Sequence, residues 1–370
     1  MSTLGLLPSI RSGLGDLART GQHSRLIDGY VRRYVDAFDE VRYFSYLDES
    51  LETYTNDPQI RAHARVLPGG RWHPWIYAFM LPLRYRGAIA SCDVLRVFQV
   101  TGVIPALIAR RLFGVPFVTT YGFWYGGLAR SRASGFFSRA VAGAGLRGAA
   151  AIIVTTEELG AHVRARHPAA AIHLIPNGVD TTAFRPPPPR VAGGHVMYLG
   201  RLSEEKDLGT LLDAAARLAP RSAVRVTLVG DGPARAALAV QARALGIDVT
   251  FRPFVDHRSV PAILAEADVF VLPSRTEGHP KILLEAMACA RPCVASAVGG
   301  NLAIISDGET GLVFPPGDAA ALADRIERLL REPALGASIG ARARADVEKR
   351  YDLETLVSRE IVLLRALSRR

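Results

Sequence analysis

The 370-residue sequence is poor in cysteine and contains no long apolar run. Its three cysteines, Cys92, Cys289 and Cys293, form an odd and sparse set, which argues against a disulfide framework and indicates a reducing compartment. No stretch of eighteen consecutive apolar residues occurs, so no transmembrane helix is predicted. No basic segment precedes the short apolar run at the start. We therefore expect no signal peptide and a cytoplasmic protein.

Lysine is scarce as well. Of the 45 basic residues only three, Lys206, Lys281 and Lys349, are lysine, so 42 are arginine, and the net charge is +10. Such an excess fits nucleic acid, an anionic membrane surface or an anionic small ligand as partner. Arginines scattered over a solvated surface explain it equally well.

The first half of the sequence predicts the start of a doubly wound parallel sheet. The predicted elements are a strand at 3–7, a loop at 8–21, a helix at 22–38 and a strand at 41–46. The loop contains three glycines but lacks the strict G-x-G-x-x-G spacing. Both a nucleotide-binding turn that includes Gly21 and a simple flexible loop therefore remain open. His23 is expected at or near the start of the helix.

Aromatic and basic residues are mixed in two later segments. Residues 51–89 suit an acceptor site, a membrane contact or an ordinary helical cover, and residues 131–151 suit a basic surface helix on a membrane. A predicted strand at 116–120 leads into an aromatic loop from Tyr121 to Gly127. Ligands of parallel sheets bind beyond the carboxyl ends of the strands, so this loop is a candidate site.

Four consecutive prolines at 186–189 mark the predicted domain boundary. Proline is excluded from helix interiors and central strands, and a proline run stiffens a connector. We therefore predict an N-terminal domain at 1–185 and a C-terminal domain at 191–350. Each reads as its own doubly wound sheet, with a cleft between them as the expected binding site.

The stretch from Asp268 to Glu285 carries the strongest site signal. It predicts a buried strand, a polar turn and a helix start, which together present backbone N–H groups to an anion. Glu277 and Glu285 bracket the turn and suit the hydroxyl groups of a sugar or ribose. Arg201 and Lys206 flank another strand-to-helix turn and suit a diphosphate. Together these residues predict a nucleotide-sugar site.

These motifs resemble the retaining glycosyltransferases of family 4. The matching segments are Glu277–Glu285 with its E-x7-E spacing, Gly200-Arg201 with Lys206, Pro176–Asp180 and Val298–Gly300. The resemblance implies the GT-B fold, with two Rossmann-like doubly wound parallel-sheet domains facing a central cleft. It also implies that the donor binds mainly to the C-terminal domain. A last helix within 353–370 would then pack back on the N-terminal domain.

The resemblance further implies roles for individual residues. The predicted catalytic residues are Glu277, Arg201, Lys206 and Tyr121. The predicted donor-binding residues are Glu285 at the ribose, Gly278, His279, Pro280, Lys281 and Ile282 at the sugar, Gly200 at the diphosphate, Arg252 and Pro253 at the base, and Gly21 in the N-terminal loop. Tyr121 occupies the place where the family often has a histidine, and His23 is the alternative for that role.

The predicted function is transfer of a hexose-type sugar, with retention, from a nucleoside-diphosphate sugar to a hydroxyl of a glycan or glycolipid, in cell-surface polysaccharide or glycolipid biosynthesis. The resemblance also implies that no cofactor and no metal are needed, because protein cations neutralise the leaving group in enzymes of this fold. Peripheral contact with an anionic membrane is expected at the inner face of the cell membrane, and no nucleic acid is expected as partner. A nucleotide-sugar epimerase and a non-catalytic carbohydrate- or nucleic-acid-binding protein remain alternatives.

Overall fold

The chain forms two compact units in the computed structural model, which describes residues 1–70, 72–122, 132–188 and 193–369, with the backbone alone for 132–138. The first unit comprises Met1–Pro176 together with Thr355–Arg370, and the second comprises Asn177–Glu354. The second unit thus begins before the four prolines at which the sequence analysis divided the chain. The reason is that Phe184 is buried in the core of the second unit and the Val179 N–H donates to the Tyr351 carbonyl.

A parallel sheet of seven strands forms the centre of the first unit. Its strands are β1 (Thr3–Leu7), β2 (Glu40–Phe44), β3 (Ala64–Leu67), β4 (Val94–Val97), β5 (Phe117–Tyr121), β6 (Ala151–Val154) and β7 (Ile172–Leu174). Their order is β3-β2-β1-β4-β5-β6-β7, and every neighbouring pair is parallel. β1, β4 and β6 are buried along their whole length. Helices cover both faces of a parallel sheet, and this burial explains why these strands are apolar except for Thr3 in β1 and Arg96 in β4.

The helices of the first unit include one that the sequence analysis missed. They are α1 (Leu14–Arg19), α2 (His23–Leu26), α3 (Arg32–Ala37), α4 (Pro58–His63), α5 (Pro74–Arg84), α6 (Arg86–Ala90), α7 (Val103–Phe113), α8 (Arg132–Gly148) and α9 (Glu157–Arg166). The prediction of a loop at 8–21 was wrong over α1. This helix forms because the Glu49 carboxylate accepts hydrogen bonds from the Leu14 and Gly15 N–H groups, at 2.8 and 2.7 Å. A partner so far along the chain leaves no local signal.

The predicted helix at 22–38 is present but not regular. α2 starts at His23, as expected, and a π-helical turn at Ile27–Val31 connects it with α3. A π turn inserts one residue into a helix and shifts the faces on either side of it. Tyr34 and Phe38 nevertheless reach the core.

A second parallel sheet, of six strands, forms the centre of the second unit. Its strands are β8 (His195–Leu199), β9 (Arg225–Val229), β10 (Val249–Arg252), β11 (Val269–Leu272), β12 (Cys293–Ser296) and β13 (Leu312–Phe314), in the order β10-β9-β8-β11-β12-β13. The helices are α10 (Leu208–Leu218), α11 (Arg235–Leu245), α12 (Val260–Ala265), α13 (Lys281–Ala288), α14 (Gly299–Leu302), α15 (Ala319–Arg331), α16 (Pro333–Arg350) and α17 (Leu353–Leu367). From Thr355 onward α17 belongs to the first unit.

Both sheets reverse their winding direction at one place. In the first unit the reversal lies between β1 and β4, and in the second it lies between β8 and β11. At such a switch point the two following loops diverge to opposite faces and leave a crevice beyond the carboxyl ends of the strands. The topology therefore marks the loops after β8 and β11 as the place to search for a site in the second unit.

A buried ion pair attaches α17 to the sheet of the first unit. The Arg96 guanidinium donates from Nε to Oε1 of Glu360 at 2.6 Å, and both residues are 4% exposed. The Tyr34 hydroxyl donates to the same carboxylate oxygen at 2.5 Å. Burial, followed by the nearby Glu360 charge, raises the pKa of Tyr34 well above its usual value, so the phenol remains a donor. These contacts satisfy two charges that would be costly to bury alone.

No described helix is both long enough and apolar enough to cross a membrane. The three cysteines are all free and buried. Burial raises the pKa of the Cys92 and Cys289 thiols to about 12, so both remain protonated and unreactive at neutral pH.

Candidate functional site

The loops after β8 and β11 bring two predicted site residues into contact. Lys206 ends a short 3-10 turn (Glu204–Lys206) after β8, and Glu277 lies in the turn after β11. The Lys206 ammonium donates to Oε1 of Glu277 at 2.6 Å, with side chains 21% and 8% exposed. β8 and β11 are the adjacent strands of the switch point. The pair therefore lies at the crevice that the topology predicts.

A buried polar chain holds Glu277 in place. The Ser274 hydroxyl donates to the same Glu277 oxygen at 2.7 Å, and Ser296 donates to the Ser274 carbonyl. The Asn301 amide in turn donates to the Ser296 carbonyl at 2.9 Å. All three of these supporting residues are fully buried. The side-chain oxygen of Asn301 has no hydrogen-bond partner among the described residues. The other hydrogen bonds of this buried chain restrict the Glu277 side chain, so its carboxylate is pre-positioned.

Gly300 allows the turn after β11 to lie close to α14. A Cβ atom at this position would be 2.5 Å from the Glu277 carbonyl oxygen and 2.7 Å from that of Gly278. Both atoms belong to the backbone, so no side-chain rotation relieves the clash. This close approach gives a physical reason for the Gly-Gly pair that the sequence analysis matched to family 4.

His279 forms the buried centre of the turn at 278–282. Asn177 donates from Nδ2 to the His279 carbonyl at 2.6 Å, and the Tyr351 ring centroid lies 5.4 Å from that of the imidazole. None of the described residues offers its Nδ1 a hydrogen-bond partner. Burial first, and then the Arg350 and Lys281 charges, lower the pKa of His279 to about 3. His279 is therefore a neutral packing residue rather than an acid or base.

Replacing His279 by phenylalanine is expected to make stability less sensitive to acid. Because folding lowers the pKa of His279, the stability that its neutral form contributes is complete above the unfolded pKa of about 6.5. This stability is lost as the pH falls from the unfolded pKa toward the folded pKa of about 3. In that range the imidazole is protonated in the unfolded chain but stays neutral in the folded protein. Between pH 7 and pH 5 the wild type should lose about 2 kcal/mol more than the variant. Urea denaturation of both proteins at the two pH values measures this difference, and equal losses would contradict the assignment.

Glu285 lies on the buried side of α13. Its carboxylate is 2.9 Å from Nε2 of His257, and its side chain is only 3% exposed. The Phe184 ring packs against His257 with centroids 5.1 Å apart. The structure therefore places the predicted ribose ligand next to a histidine that the sequence analysis did not identify. Its role at the ribose stays a prediction.

The remaining candidates of the second unit line the strand ends. Gly200 follows β8 with φ 152°, where glycine is favoured, and Arg201 is exposed while its carbonyl accepts from the Tyr198 hydroxyl. Arg252 ends β10 and its guanidinium pairs with Glu266 at 2.8 Å, followed by exposed Pro253. β10 is the edge strand, two strands away from β8. The predicted contact of Arg252 and Pro253 with the base of the donor nucleotide stays a prediction.

The helix after the turn adds a dipole to the site. α13 begins at Lys281 with Pro280 at its N-cap, and Ile282 follows in the first turn. The N–H groups of a first helical turn lack intrahelical acceptors, and the helix dipole favours an anion there. The site of the second unit thus combines a carboxylate, a lysine and a helix N-terminus.

Three candidates belong to the first unit. Tyr121 ends β5, is 6% exposed and stacks on His162 with centroids 5.9 Å apart. Burial raises the pKa of Tyr121, so its phenol is protonated at neutral pH and is no general base. His23 starts α2, and Gly21 follows α1 with φ 68°. The aromatic loop beyond Gly122 lies outside the described residues, and the roles of all three candidates stay predictions.

Sequence patterns alone missed the residues that support the site. Asn177, Ser296 and Asn301 are polar residues in a turn, a strand and a short helix, and nothing local marks them as partners of the turn after β11. Their signal is burial of a polar side chain, which becomes visible only in the fold. Among the described residues no group of three or more His, Cys, Asp or Glu side chains is gathered as a metal site.

Comparison with solved structures defines the class. Sucrose-phosphate synthase from Thermosynechococcus elongatus superposes with a TM-score of 0.81 at 24% identity, over 99% of each chain. Anabaena HepE, solved in complex with UDP-glucose, superposes with a TM-score of 0.79 at 21% identity, over 99% of this chain and all of that one. At such identities the likeness shows the fold alone. Two parallel-sheet units of this kind define the GT-B fold, which confirms the predicted fold class.

Family models then give the assignment within that class. The model described as Glycosyltransferase Family 4 matches residues 24–183, and the model described as Glycosyl transferases group 1 matches residues 193–332. The chain belongs to the family 4 type of glycosyltransferases, as the motifs indicated. The alpha-D-kanosaminyltransferase of Streptomyces kanamyceticus is 40% identical over 143 residues, which are 38% of this chain and 37% of that relative. The chain thus spans less than half the length of the curated relatives it matches.

Proposed function

We propose that the protein transfers a sugar from a nucleoside-diphosphate sugar to a hydroxyl of a glycan or glycolipid. The observation that carries the proposal is the Lys206–Glu277 contact of 2.6 Å at the switch point. A cation and a carboxylate side by side suit the two ends of such a donor, its phosphates and its sugar hydroxyls. The neighbour HepE was solved with UDP-glucose, and a kanosaminyltransferase is among the relatives, which supports a hexose-type donor.

In the proposed mechanism the second unit binds the donor. Lys206 has three N–H donors, so one can remain on Glu277 while the others contact a phosphate oxygen. Arg201 and the N-terminus of α13 add positive potential where the leaving diphosphate gains charge. Glu277 then binds hydroxyls of the sugar, and Glu285 binds the ribose. Stabilisation of the leaving group by protein cations is the physical basis for proposing catalysis without a metal.

The stereochemical part of the proposal is retention. The departing phosphate accepts the proton of the attacking hydroxyl on the same face of the sugar, so no protein base is required. The pKa of Tyr121, raised by burial, agrees with that requirement, because the phenol near neutral pH can donate but not accept a proton. We place the reaction in cell-surface polysaccharide or glycolipid synthesis at the inner face of the membrane. The protein would contact the anionic membrane there peripherally.

Donor screening by thermal shift tests the proposal. UDP-, GDP- and dTDP-sugars are each titrated over a wide range of concentrations. At about 100 times its dissociation constant, the sugar that binds as donor stabilises the fold by about 2.7 kcal/mol. The melting temperature should then rise by about 5–10 °C for one donor and not for the others. A donor that shifts melting is next incubated with protein and candidate acceptors, with and without EDTA.

The products separate the competing activities. Release or transfer of the sugar with its anomeric configuration kept, and unchanged by EDTA, supports the proposal in full. Conversion of the donor to its epimer in the absence of acceptor would assign the protein as an epimerase instead. If a nucleotide sugar binds but reacts with neither an acceptor nor water, the protein would be assigned as a non-catalytic binding protein.

A further inference from the structure

Helix α5 presents large apolar side chains to solvent. Tyr77, Ala78, Leu81 and Pro82 face the core, while the opposite side of the helix is exposed. We call this side, together with Trp72 just before the helix, the α5 surface. Its residues, which are 38–53% exposed, are Trp72, Trp75, Ile76, Phe79, Met80 and Leu83. These six are half of the twelve large hydrophobic side chains that are exposed among the described residues. Single exposed apolar residues are ordinary, but a contiguous group marks an interaction site.

The sequence around the α5 surface is entirely free of negative charge. Residues 58–92 contain no aspartate or glutamate and five arginines. Two of these, Arg84 at the last position of α5 and Arg86 just after it, are exposed. Two tryptophans lie at the other end, and tryptophan favours the interface between water and lipid. An apolar helix face with cationic residues at its margin has the chemistry of a helix that lies in the surface of an anionic bilayer.

We infer that the α5 surface docks the protein on an anionic lipid bilayer. The helix would lie parallel to the membrane plane over its length of about 16 Å, with the apolar side chains among the acyl chains and the arginines at the phosphate level. The inference rests on one part of the proposed function, the peripheral contact with an anionic membrane. It adds the surface that makes the contact and the lipid charge that the surface requires.

The charges favour lipid over a second copy of the chain. A symmetric dimer through the α5 surface would use the same patch on both copies. It would thus bring Arg84 and Arg86 of each copy into one interface, where Asp48 is the acidic residue whose charge acts on Arg84. Two arginines from each copy then outnumber the acidic residues, and like charges across an interface are unfavourable. An anionic bilayer instead neutralises both arginines while it covers the apolar residues.

Vesicle sedimentation without donor or acceptor tests the inference. The protein should bind vesicles of phosphatidylcholine with roughly one-third phosphatidylglycerol, and bind pure phosphatidylcholine at least about tenfold more weakly. The double substitution Phe79→Ser with Leu83→Ser should lower the partition coefficient by at least about tenfold. Arg84→Ser with Arg86→Ser should lower binding to the anionic vesicles by a similar factor.

A matched control separates the α5 surface from exposed apolar residues in general. Val240 and Leu245 are exposed on α11, at 58% and 37%. Val240→Ser with Leu245→Ser should leave vesicle binding unchanged. All of these substitutions are at exposed positions, and melting temperatures within a few degrees of the wild type exclude misfolding as the cause of a lost signal.

Tryptophan fluorescence gives a second readout. The chain has three tryptophans, Trp72, Trp75 and Trp124. With Trp124→Phe, both remaining tryptophans belong to the α5 surface. Their emission should shift to shorter wavelength when anionic vesicles are added and should not shift with neutral ones.

Each result either supports or overturns the inference. Absent binding to anionic vesicles, equal binding to neutral ones or undiminished binding of Phe79→Ser with Leu83→Ser would each overturn it. A dimer that this double variant dissociates, in a protein that ignores vesicles, would assign the α5 surface to contact between copies. Transfer to a soluble acceptor without vesicle binding would reject the inference alone, whereas vesicle binding without any donor turnover would reject the proposed function alone.

Discussion

Replacing Lys206 by methionine is expected to lower kcat/KM for sugar transfer by about 10²- to 10³-fold. The substitution keeps the length of the side chain and removes its positive charge. The leaving diphosphate then loses a donor at the point where negative charge develops, and Glu277 loses the ammonium group 2.6 Å away. Initial rates over a range of donor concentrations measure the effect.

Lys349 provides the matched control for this experiment. It is one of the three lysines of the chain and is exposed on α16. Lys349→Met should transfer sugar at the wild-type rate. If Lys206→Met also keeps more than about a tenth of wild-type kcat/KM, the proposed diphosphate site is wrong.

The partner of Lys206 extends the test. Glu277→Gln keeps the shape of the side chain and removes its charge, so it should also reduce transfer strongly. Because the two side chains act as one unit, the double variant should lose little more than either single variant. Losses that simply multiply would indicate that the contact between them has no role in the reaction.

Replacing Glu360 by alanine is expected to destabilise the first unit by about 3–5 kcal/mol. The substitution leaves the buried Arg96 guanidinium without its counter-charge and the Tyr34 hydroxyl without its acceptor. Amide hydrogen exchange in β4 and α17 measures the loss locally. Where exchange requires the helix to detach, it should accelerate by about 10²- to 10⁴-fold.

Two further variants make the result interpretable. Glu354 is an exposed glutamate on the same helix, and Glu354→Ala should change exchange by less than about fivefold. Arg96→Met combined with Glu360→Leu removes both charges and should recover much of the lost stability. A double variant as unstable as Glu360→Ala alone would mean that packing, and not the unpaired charge, causes the loss.

Features that depend on a local sequence pattern could be predicted from the sequence. Continuous apolar runs such as Val269–Leu272 predicted buried parallel strands, and the Glu277–Glu285 spacing predicted a site after one of them. Both features depend on local periodicity and on the turn that follows, which a single sequence displays. The GT-B fold followed from the motif resemblance and is confirmed by the structure.

Features that depend on distant partners could not be predicted in the same way. α1 forms in a predicted loop because Glu49, more than thirty residues later, accepts its first N–H groups. Asn177 contacts His279 across 102 residues. The sequence analysis named residues 51–89 as a possible membrane contact but could not define the α5 surface within them. The sequence of that helix is apolar on both sides, and only the fold shows which side remains exposed.

The Arg96–Glu360 pair has a consequence for how the protein is made. The two residues are 264 positions apart. At a synthesis rate of about 5–20 residues per second, roughly 13 to 53 seconds pass between their incorporation. During that interval β4 carries an arginine whose partner carboxylate does not yet exist, so the first sheet cannot reach its final stability before Glu360 has been added. The first sheet is therefore completed by a residue that is translated much later than β4, and a folding factor that shields β4 would have its largest effect in this interval.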